Sequence, residues 1–306
     1  MKRAIPALVV ATFAAPLQAS ENTEHPATQF LNRSDVVYAY RTYGPETGRP
    51  LILSHRFRAN LDDWDPAFLA EISENRPVVT FNSVGVSTSS GNVPTDIEGM
   101  ADSMAEFIRG LGYEKADILG WSMGGFVVQE LATRHSELVD RLILVGTGPG
   151  GSPKTPAPVE GVFAVATEPE YNADHRAYLF FADAPSSLSR AEASIERIDA
   201  NRDPSREPAT TVAVMQNQAA AIEAYFSGAN GAFGRLGAIS APTLILAGDR
   251  DPFFPVAGAL LLHREIPNSR LSVAPMTGHG PHHQWPEHSA KLIDDFLADT
   301  ASVEDR

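Results

Sequence analysis

The segment Gly120-Trp121-Ser122-Met123-Gly124 has the spacing of a nucleophilic serine on a tight turn. It follows the apolar run ADILG and precedes the helical pattern GFVVQELATRH. On such a strand-turn-helix unit the serine hydroxyl stands clear of the backbone, and the flanking glycines relieve crowding. The start of the following helix also favours developing negative charge. The segment therefore predicts that Ser122 is a nucleophile.

A serine hydroxyl needs a general base, and that base needs an acid that orients it. For a serine on this kind of turn, the expected order along the chain is serine, acid, histidine. Asp251 follows the strand-like run PTLILAG, and His279 follows RLSVAP in a loop with a glycine on either side. Catalytic groups gather at the carboxyl ends of parallel strands. We therefore predict Asp251 as the acid and His279 as the base.

Other side chains compete for these two roles. Asp249 lies closer to its strand than Asp251, and we interpret it as a turn residue that bonds to its own backbone. His282 and His283 begin the predicted last helix, where we expect them at the surface or on the pocket wall. His55 lies in a different loop, which we expect it to stabilise by hydrogen bonds.

An oxyanion hole needs two backbone N–H donors. The residue after the nucleophile supplies one, which here is Met123, and the loop after an early strand supplies the other. That loop is SHRFRAN, residues 54–60. We expect its two arginines, Arg56 and Arg58, to form ion pairs with nearby acids, either Asp62, Asp63 or Asp65. The alternative is that one of them faces the pocket and favours a substrate with a carboxylate.

The elements that must position these residues follow an alternating pattern. Apolar runs occur at 50–54, 77–82, 116–120, 141–146, 242–248 and 270–275. Most are apolar on both faces, as buried parallel strands are. Helical patterns lie between them, such as 96–112, whose apolar residues recur at helical spacing. The alternation predicts an α/β fold with a mostly parallel central sheet flanked by helices.

Two regions depart from this alternation. Residues 150–235 open on a Gly/Pro-rich loop and continue with helical patterns, so we expect an inserted helical lid within one domain spanning 20–306. A separate second domain is the alternative. Residues 1–19 combine two basic residues, a short apolar stretch and a final alanine. This is the layout of a signal peptide, so we expect a secreted or periplasmic protein.

Composition excludes several classes of function. The net charge of −14 disfavours nucleic acid and anionic membrane surfaces as partners. No apolar run reaches the length of about 18 residues that a membrane span requires. The absence of cysteine removes disulfides, thiolate nucleophiles and cysteine-based zinc sites. The segment GTGPGG lacks the spacing of a dinucleotide-binding turn. We expect no cofactor and no metal, and a small molecule as substrate.

Taken together, the motifs resemble those of the α/β-hydrolase fold superfamily, and within it the esterase, lactonase and non-haem perhydrolase group. The resemblance runs through LILSHRF, FNSVGVSTSSG, LGWSMGG, LILVGTGP, LILAGDRDPFFP and GHGPHHQWPE. It implies a serine hydrolase that cleaves an ester or lactone through an acyl-enzyme. It also implies that Phe57 donates the second oxyanion N–H, together with Met123.

The chain departs from the family pattern at several positions. Arg56 stands where the family usually has glycine, and Asn82 and Ser87 stand where it usually has an aspartate and a further glycine. Thr147 occupies the family's alternative position for the acid, which favours Asp251.

Three alternative functions fit the same residues. A perhydrolase uses the same triad with peroxide, and C–C bond hydrolysis also uses a serine triad. A non-catalytic binding protein on the same fold is the alternative from another class. Ser122 excludes the dehalogenases and epoxide hydrolases, which use an aspartate nucleophile.

Overall fold

The computed structural model describes residues 25–152, 157–227 and 231–299, and the predicted signal peptide lies outside them. The described residues form one eight-stranded sheet. Its strands are β1 (Gln29–Arg33), β2 (Val36–Tyr43), β3 (Leu51–Ser54), β4 (Val78–Phe81), β5 (Ala116–Trp121), β6 (Val139–Val145), β7 (Thr243–Gly248) and β8 (Ser269–Ala274).

The strand order across the sheet is β1-β2-β4-β3-β5-β6-β7-β8. The pairs from β4 to β8 are all parallel, while β2 pairs antiparallel with β1 and with β4. The predicted mostly parallel sheet is confirmed. The antiparallel β1–β2 hairpin was not among the predicted strands. β1 lies at the sheet edge and is largely exposed, and β2 is only partly buried, so neither has the continuous apolar run of a buried strand.

Ten α-helices accompany the sheet in the described residues. They are α1 (Pro66–Ile72), α2 (Ile97–Gly110), α3 (Met123–Arg134), α4 (Val162–Ala166), α5 (Ala173–Phe180), α6 (Pro185–Ala200), α7 (Val212–Phe226), α8 (Val256–Glu265), α9 (Pro281–Gln284) and α10 (Pro286–Ala298). The helix predicted over 96–112 is α2, which buries Met100, Met104, Phe107 and Ile108. None of the described helices is long and apolar enough to cross a membrane.

The segment between β6 and β7 is helical, as its pattern predicted. Its described residues form α4 to α7 and a 3-10 helix at Ala232–Ala238, with no strand among them. Helices α5, α6 and α7 correspond to the three helical patterns in this region. We call the segment between β6 and β7 the helical insertion.

Parallel strands bring their carboxyl ends to the same edge of the sheet. The loops that follow β3, β5, β7 and β8 carry the segments around Phe57, Ser122, Asp251 and His279. The fold therefore brings all the residues singled out in the sequence to one edge, and the helical insertion lies over it, contributing side chains to the same cavity.

Candidate active site

Ser122 lies on the turn between β5 and α3 in an unusual backbone conformation, with φ 56° and ψ −118°. A non-glycine residue at positive φ is strained, and such strain concentrates at functional sites. The flanking glycines are needed for close approach: a Cβ on Gly120 would lie 2.4 Å from the carbonyl oxygen of Gly124. A Cβ on Gly124 would lie 2.3 Å from the carbonyl oxygen of Ser54. The sharp turn expected from the sequence is therefore present.

The predicted acid and base contact each other. His279 Nδ1 lies 2.8 Å from Asp251 Oδ2, and both side chains are almost fully buried. The other carboxylate oxygen, Oδ1, accepts hydrogen bonds from the N–H groups of Phe253 and Phe254 at 2.8 and 3.0 Å. Asp251 therefore has a fixed orientation, and Nε2 is the ring nitrogen that His279 has left for another partner.

Asp249 does not contact His279. Its Oδ1 accepts a hydrogen bond from the N–H of Thr277 at 3.1 Å, so it joins the loop after β7 to the loop after β8. The expectation that Asp249 bonds within its own turn is thus wrong in detail, since its acceptor role reaches the neighbouring loop. Thr147, in the alternative acid position, donates from Oγ1 to the carbonyl oxygen of Ser122 at 2.9 Å.

The backbone around His279 is held by neighbouring loops. Trp121 donates from Nε1 to the carbonyl oxygen of His279 at 3.0 Å. The backbone of Gly146, at φ 48°, passes so close that a Cβ there would lie 2.3 Å from the same oxygen. Because these contacts fix the backbone and Asp251 fixes the ring, the orientation of His279 is strongly determined.

Both predicted oxyanion donors line the cavity that also contains Ser122 and His279. Met123 is the first residue of α3, where backbone N–H groups lack partners within the helix. Phe57 lies in the loop after β3. Within the described residues, neither N–H donates to a protein acceptor. An oxyanion hole requires two such N–H groups without protein partners, and both residues line the same cavity as Ser122.

The two loop arginines behave differently from each other. Arg56 is buried and forms the expected type of ion pair, with its Nη2 3.1 Å from Asp63 Oδ1. Its Nη1 donates to the carbonyl oxygen of Phe57 at 2.9 Å. Arg58 forms no ion pair with a described acid, so the expectation of local pairing is wrong for it. Asp62 and Asp65, the other acids considered, pair with Arg41 and Arg197.

The cavity at this site has a volume of about 530 Å³ and an apolar wall. Core and insertion both contribute to it, through Phe57, Phe126, Phe163, Leu179, Phe180 and Phe226. Polar groups are few and include Ser122, His279, Arg56 and Arg58. A concave apolar site with a few convergent polar groups suits a small organic molecule. The sequence pattern did not identify the wall residues of the insertion, because helical periodicity does not say which neighbour a helix covers.

His282 and His283 are not at the surface and do not line this cavity. They are buried behind Trp121, with ring centroids 4.5 and 4.6 Å from that indole. The predicted last helix is split into α9 and α10 at Pro286, and the short α9 turns both rings inward. Burial lowers the pKa of each histidine well below its usual range.

His55 plays the local role expected for it. Its Nδ1 accepts a hydrogen bond from the N–H of Arg56 at 2.8 Å, and its ring packs on Trp64 at 4.2 Å. Burial, reinforced by the charge of Arg56, lowers the pKa of His55 well below its usual range. The described residues contain no group of three or more histidine or acidic side chains arranged to hold a metal ion.

One polar contact of the helical insertion escaped the sequence analysis. Glu207 is 1% exposed and accepts hydrogen bonds from Asn82 Nδ2 and, at 3.1 Å, from Thr88 Oγ1. Ser87, at φ 49°, donates to the carbonyl oxygen of Pro208 at 2.7 Å. The two positions at which the loop after β4 departs from the family pattern are therefore both bonded to the insertion.

Comparison with known proteins gives concordant results. Residues 49–285 match the family described as alpha/beta hydrolase fold. A putative carbamate hydrolase, RutD, of Agrobacterium fabrum is 26% identical over 75% of this chain and 85% of its own length. A 2-hydroxy-6-oxononadienedioate/2-hydroxy-6-oxononatrienedioate hydrolase of Cupriavidus pinatubonensis is 32% identical over 61% of this chain and 63% of its own length. An alpha/beta hydrolase fold protein from Chitinophaga pinensis superposes with a TM-score of 0.81 at 27% identity, covering 91% of this chain and 99% of that one.

Proposed function

The chain belongs to the alpha/beta hydrolase fold family, and from that premise we propose that it is a serine hydrolase acting on a carboxylic ester or lactone. The observation that carries this proposal is the buried contact of 2.8 Å between His279 Nδ1 and Asp251 Oδ2, in a site whose cavity also exposes Ser122. We take Ser122 as the nucleophile, His279 as the base and Asp251 as the orienting acid of this site.

In the first half of the proposed reaction, Ser122 Oγ attacks the carbonyl carbon while His279 Nε2 takes the hydroxyl proton. The C–O bond of the ester then breaks, and the alkoxide leaves with the proton that the imidazolium returns. This produces an acyl-enzyme and an alcohol, or a hydroxyacyl-enzyme from a lactone. In the second half, His279 takes a proton from water and the hydroxide attacks the acyl carbon. The bond between that carbon and Ser122 Oγ then breaks, the carboxylic acid leaves, and the imidazolium returns the proton to Ser122.

Asp251 supports both halves by holding the proton on Nδ1, so that Nε2 can accept, and by stabilising the imidazolium. The N–H groups of Met123 and Phe57 are the donors that we assign to the oxyanion of each tetrahedral intermediate. Fixed backbone donors need no reorganisation when the negative charge develops, and such a donor contributes about 3 kcal/mol in enzymes where one has been removed.

We assign substrate selection to the helical insertion, acting as a lid. It supplies much of the apolar wall of the cavity, including Phe163, Leu179 and Phe226. An apolar wall of this extent suits an acyl group with several carbons or a ring. Residues 1–19 have the layout of a signal peptide, so we also propose that the mature enzyme works in the periplasm or outside the cell.

The test of this function is Ser122→Ala with p-nitrophenyl butyrate as substrate. Removal of the nucleophile should lower kcat by about 10⁴-fold or more, while the free energy of unfolding changes little. Ser136→Ala, in a 3-10 helix remote from the cavity, is the control that should keep its turnover. Unchanged turnover in Ser122→Ala would refute the mechanism.

C–C bond hydrolysis is the second candidate function. The relative from Cupriavidus pinatubonensis, at 32% identity, is named as a hydrolase of 2-hydroxy-6-oxononadienedioate, a compound that has no ester bond. The same triad can serve a carbon leaving group if the substrate is first protonated on carbon. Comparison of kcat/KM for a vinylogous 1,5-diketone and for p-nitrophenyl butyrate separates the two candidates. A higher value for the diketone would favour the C–C hydrolase.

A further inference from the structure

Arg58 is a cation in the wall of the active-site cavity and has no counter-ion within the described part of the chain. It is half-buried and lines the cavity together with Ser122 and His279. No described carboxylate lies within ion-pair distance of its guanidinium. Glu223 is the one carboxylate among the described cavity residues; it is exposed and forms no ion pair with Arg58.

The acids of the neighbouring loop are already in use. Asp63 is shared between Arg56 and Arg202, with N–O distances of 3.1 and 2.7 Å. Asp62 pairs with Arg41, and Asp65 accepts hydrogen bonds from Arg197 and Ser194. Each of these carboxylates is buried, so none can turn toward Arg58 without leaving the cation that it now pairs with.

The backbone and side chain of Arg58 are held in place. Its backbone has φ 55°, and its N–H donates to Gln218 Oε1 at 2.8 Å. Its guanidinium carbon lies 4.3 Å from the ring centroid of Tyr171, within the range of a cation–π contact. These contacts tie the arginine to the insertion and fix its direction before any ligand binds.

Among the described residues, one of the three guanidinium nitrogens of Arg58 has hydrogen-bond partners. Nη1 donates to the carbonyl oxygens of Ala166 and Glu168 at 3.1 and 2.8 Å. Among the described residues, Nε and Nη2 have no acceptor. A structural role in stabilising the end of α4 explains the hydrogen bonds of Nη1, but it gives no role to Nε and Nη2. An Arg edge with two free N–H groups matches a carboxylate in geometry and charge.

We propose that Arg58 binds a carboxylate on the substrate, so that the preferred substrate is an ester or lactone that carries a carboxylate remote from the scissile bond. A monoester of a dicarboxylic acid is the simplest member of this class. Arg58 directly follows Phe57, the proposed oxyanion donor, so neighbouring residues of one loop would hold the reacting carbonyl and the remote carboxylate. This inference rests on the proposed serine-hydrolase function for its chemistry, but its binding claim can be tested without turnover.

The kinetic test compares two esters with five-carbon acyl groups, p-nitrophenyl valerate and mono-p-nitrophenyl glutarate. The readout is the ratio of kcat/KM for the anionic ester to that for the neutral ester. Arg58→Gln should lower this ratio about 10- to 100-fold, because it keeps a hydrogen-bond donor and removes the charge. Arg58→Lys should lower it less, since a charge remains. Arg264→Gln, at an exposed position on α8, is the matched control and should keep the wild-type ratio.

A binding test separates this inference from the reaction itself. Glutarate should raise the Tm of the wild-type protein, and glutaramide, its neutral diamide, at equal concentration should raise it less. Arg58→Gln should lose most of the glutarate shift, and 0.5 M NaCl should weaken the shift in the wild type. If Ser122→Ala keeps its turnover while glutarate still binds through Arg58, the proposed reaction fails and the anion site stands. If Arg58→Gln keeps both the kinetic ratio and the glutarate shift, Arg58 is only a brace and the inference is overturned.

Discussion

Arg56 and Asp63 form a buried ion pair across the loop after β3, with Nη2 of the arginine 3.1 Å from Oδ1 of the aspartate. The same guanidinium donates from Nη1 to the carbonyl oxygen of Phe57 at 2.9 Å. One side chain therefore connects the carbonyl group of Phe57, the residue whose N–H is the proposed oxyanion donor, to the far end of its loop. This gives a positioning task to the residue that stands where the family usually has glycine.

We predict that Arg56→Gln lowers kcat for p-nitrophenyl butyrate about 10- to 100-fold with little change in KM. The shorter side chain cannot reach both partners, so Phe57 N–H moves away from the oxyanion, which matters mainly in the transition state. The free energy of unfolding should fall by about 1–3 kcal/mol. This loss is smaller than for a buried acid left without any cation, because Asp63 keeps its ion pair with Arg202 at 2.7 Å. Steady-state kinetics and urea unfolding measure the two effects.

Arg41→Gln is the matched control for Arg56→Gln. Arg41 forms a similarly buried pair with Asp62, with an N–O distance of 2.7 Å, but it does not line the cavity. This variant should lose stability without the selective loss of kcat. Equal losses of kcat in the two variants would show that Arg56 acts only through general stability.

A second prediction concerns the two aspartates after β7. Asp251→Asn should lower kcat about 10³- to 10⁴-fold, because an amide N–H facing His279 Nδ1 forces the proton onto Nε2, where it blocks the uptake of the serine proton. Asp249→Asn keeps an acceptor for Thr277 N–H and should change kcat less than about threefold. Kinetics at pH 8 measure both variants. A larger loss in Asp249→Asn would reverse the assignment of the acid.

The sequence sufficed to place Ser122 and Asp251 at one edge of a parallel sheet, because each follows a continuously buried strand, β5 or β7. His279 follows the half-buried strand β8 at the end of the same sheet. Continuous burial and carboxyl-end loops are local signals that a single sequence carries. The same logic identified Asp251 as the partner of His279 in preference to Asp249. Both carboxylates reach the loop after β8, but Asp251 contacts the ring of His279 while Asp249 accepts from the N–H of Thr277.

The contacts between distant segments could not be read in this way. The hydrogen bond from Asn82 to Glu207 joins positions 125 apart, and nothing local marks either residue as a partner of the other. The same holds for Arg58, whose carbonyl partners at 166 and 168 belong to the insertion. The predicted positions of His282 and His283 were wrong for a different reason. A polar residue type suggests exposure, but Pro286 ends the short helix α9, which turns both rings inward.

The third prediction is that stability falls early as the pH is lowered. Burial lowers the pKa values of His55, His282 and His283 far below the unfolded value of about 6.5. Nearby Arg56 lowers all three further, and Asp63 partly offsets the effect at His55 and His283. Below about pH 6.5 the unfolded chain therefore binds protons that the folded protein excludes. Each histidine then removes up to about 1.4 kcal/mol per pH unit from the free energy of unfolding.

The pH effect is isolated by comparing variants by urea unfolding at pH 8, 7, 6 and 5. His282→Phe, which suits the aromatic contacts of Trp64 and Phe68, should reduce the slope below pH 6.5 by about 1 kcal/mol per pH unit. The difference between variants cancels the opposite contribution of Asp117, whose pKa is raised to about 6 by burial. His288→Asn, at an exposed position, should keep the wild-type slope. A wild-type stability that stays constant from pH 8 to pH 5 would contradict the prediction.

The fourth prediction concerns the buried pair of Asn82 and Glu207, which ties the loop after β4 to the helical insertion. Asn82 Oδ1 accepts a hydrogen bond from the N–H of Leu61 at 3.0 Å, and its Nδ2 donates to Glu207. Glu207 has no cationic partner among the described residues, and burial raises its pKa. Asn82→Asp introduces the residue type that is usual in the family. It would therefore place a second buried carboxylate directly against that of Glu207. We expect a loss of about 3 kcal/mol in the free energy of unfolding at pH 8.

Adding Glu207→Gln to Asn82→Asp should recover most of this loss, because the new amide can donate to the introduced carboxylate. Glu207→Gln alone should cost less than about 1 kcal/mol, so the double-mutant cycle should give a coupling energy of about 2 kcal/mol. The loss in Asn82→Asp should also shrink as the pH falls toward 5, since a raised carboxyl pKa means that the folded state takes up a proton first and stability returns on acidification. Urea unfolding of all four proteins at pH 8 and pH 5 measures both effects. Additive losses of stability with no dependence on pH would show that Glu207 and Asn82 are not energetically coupled.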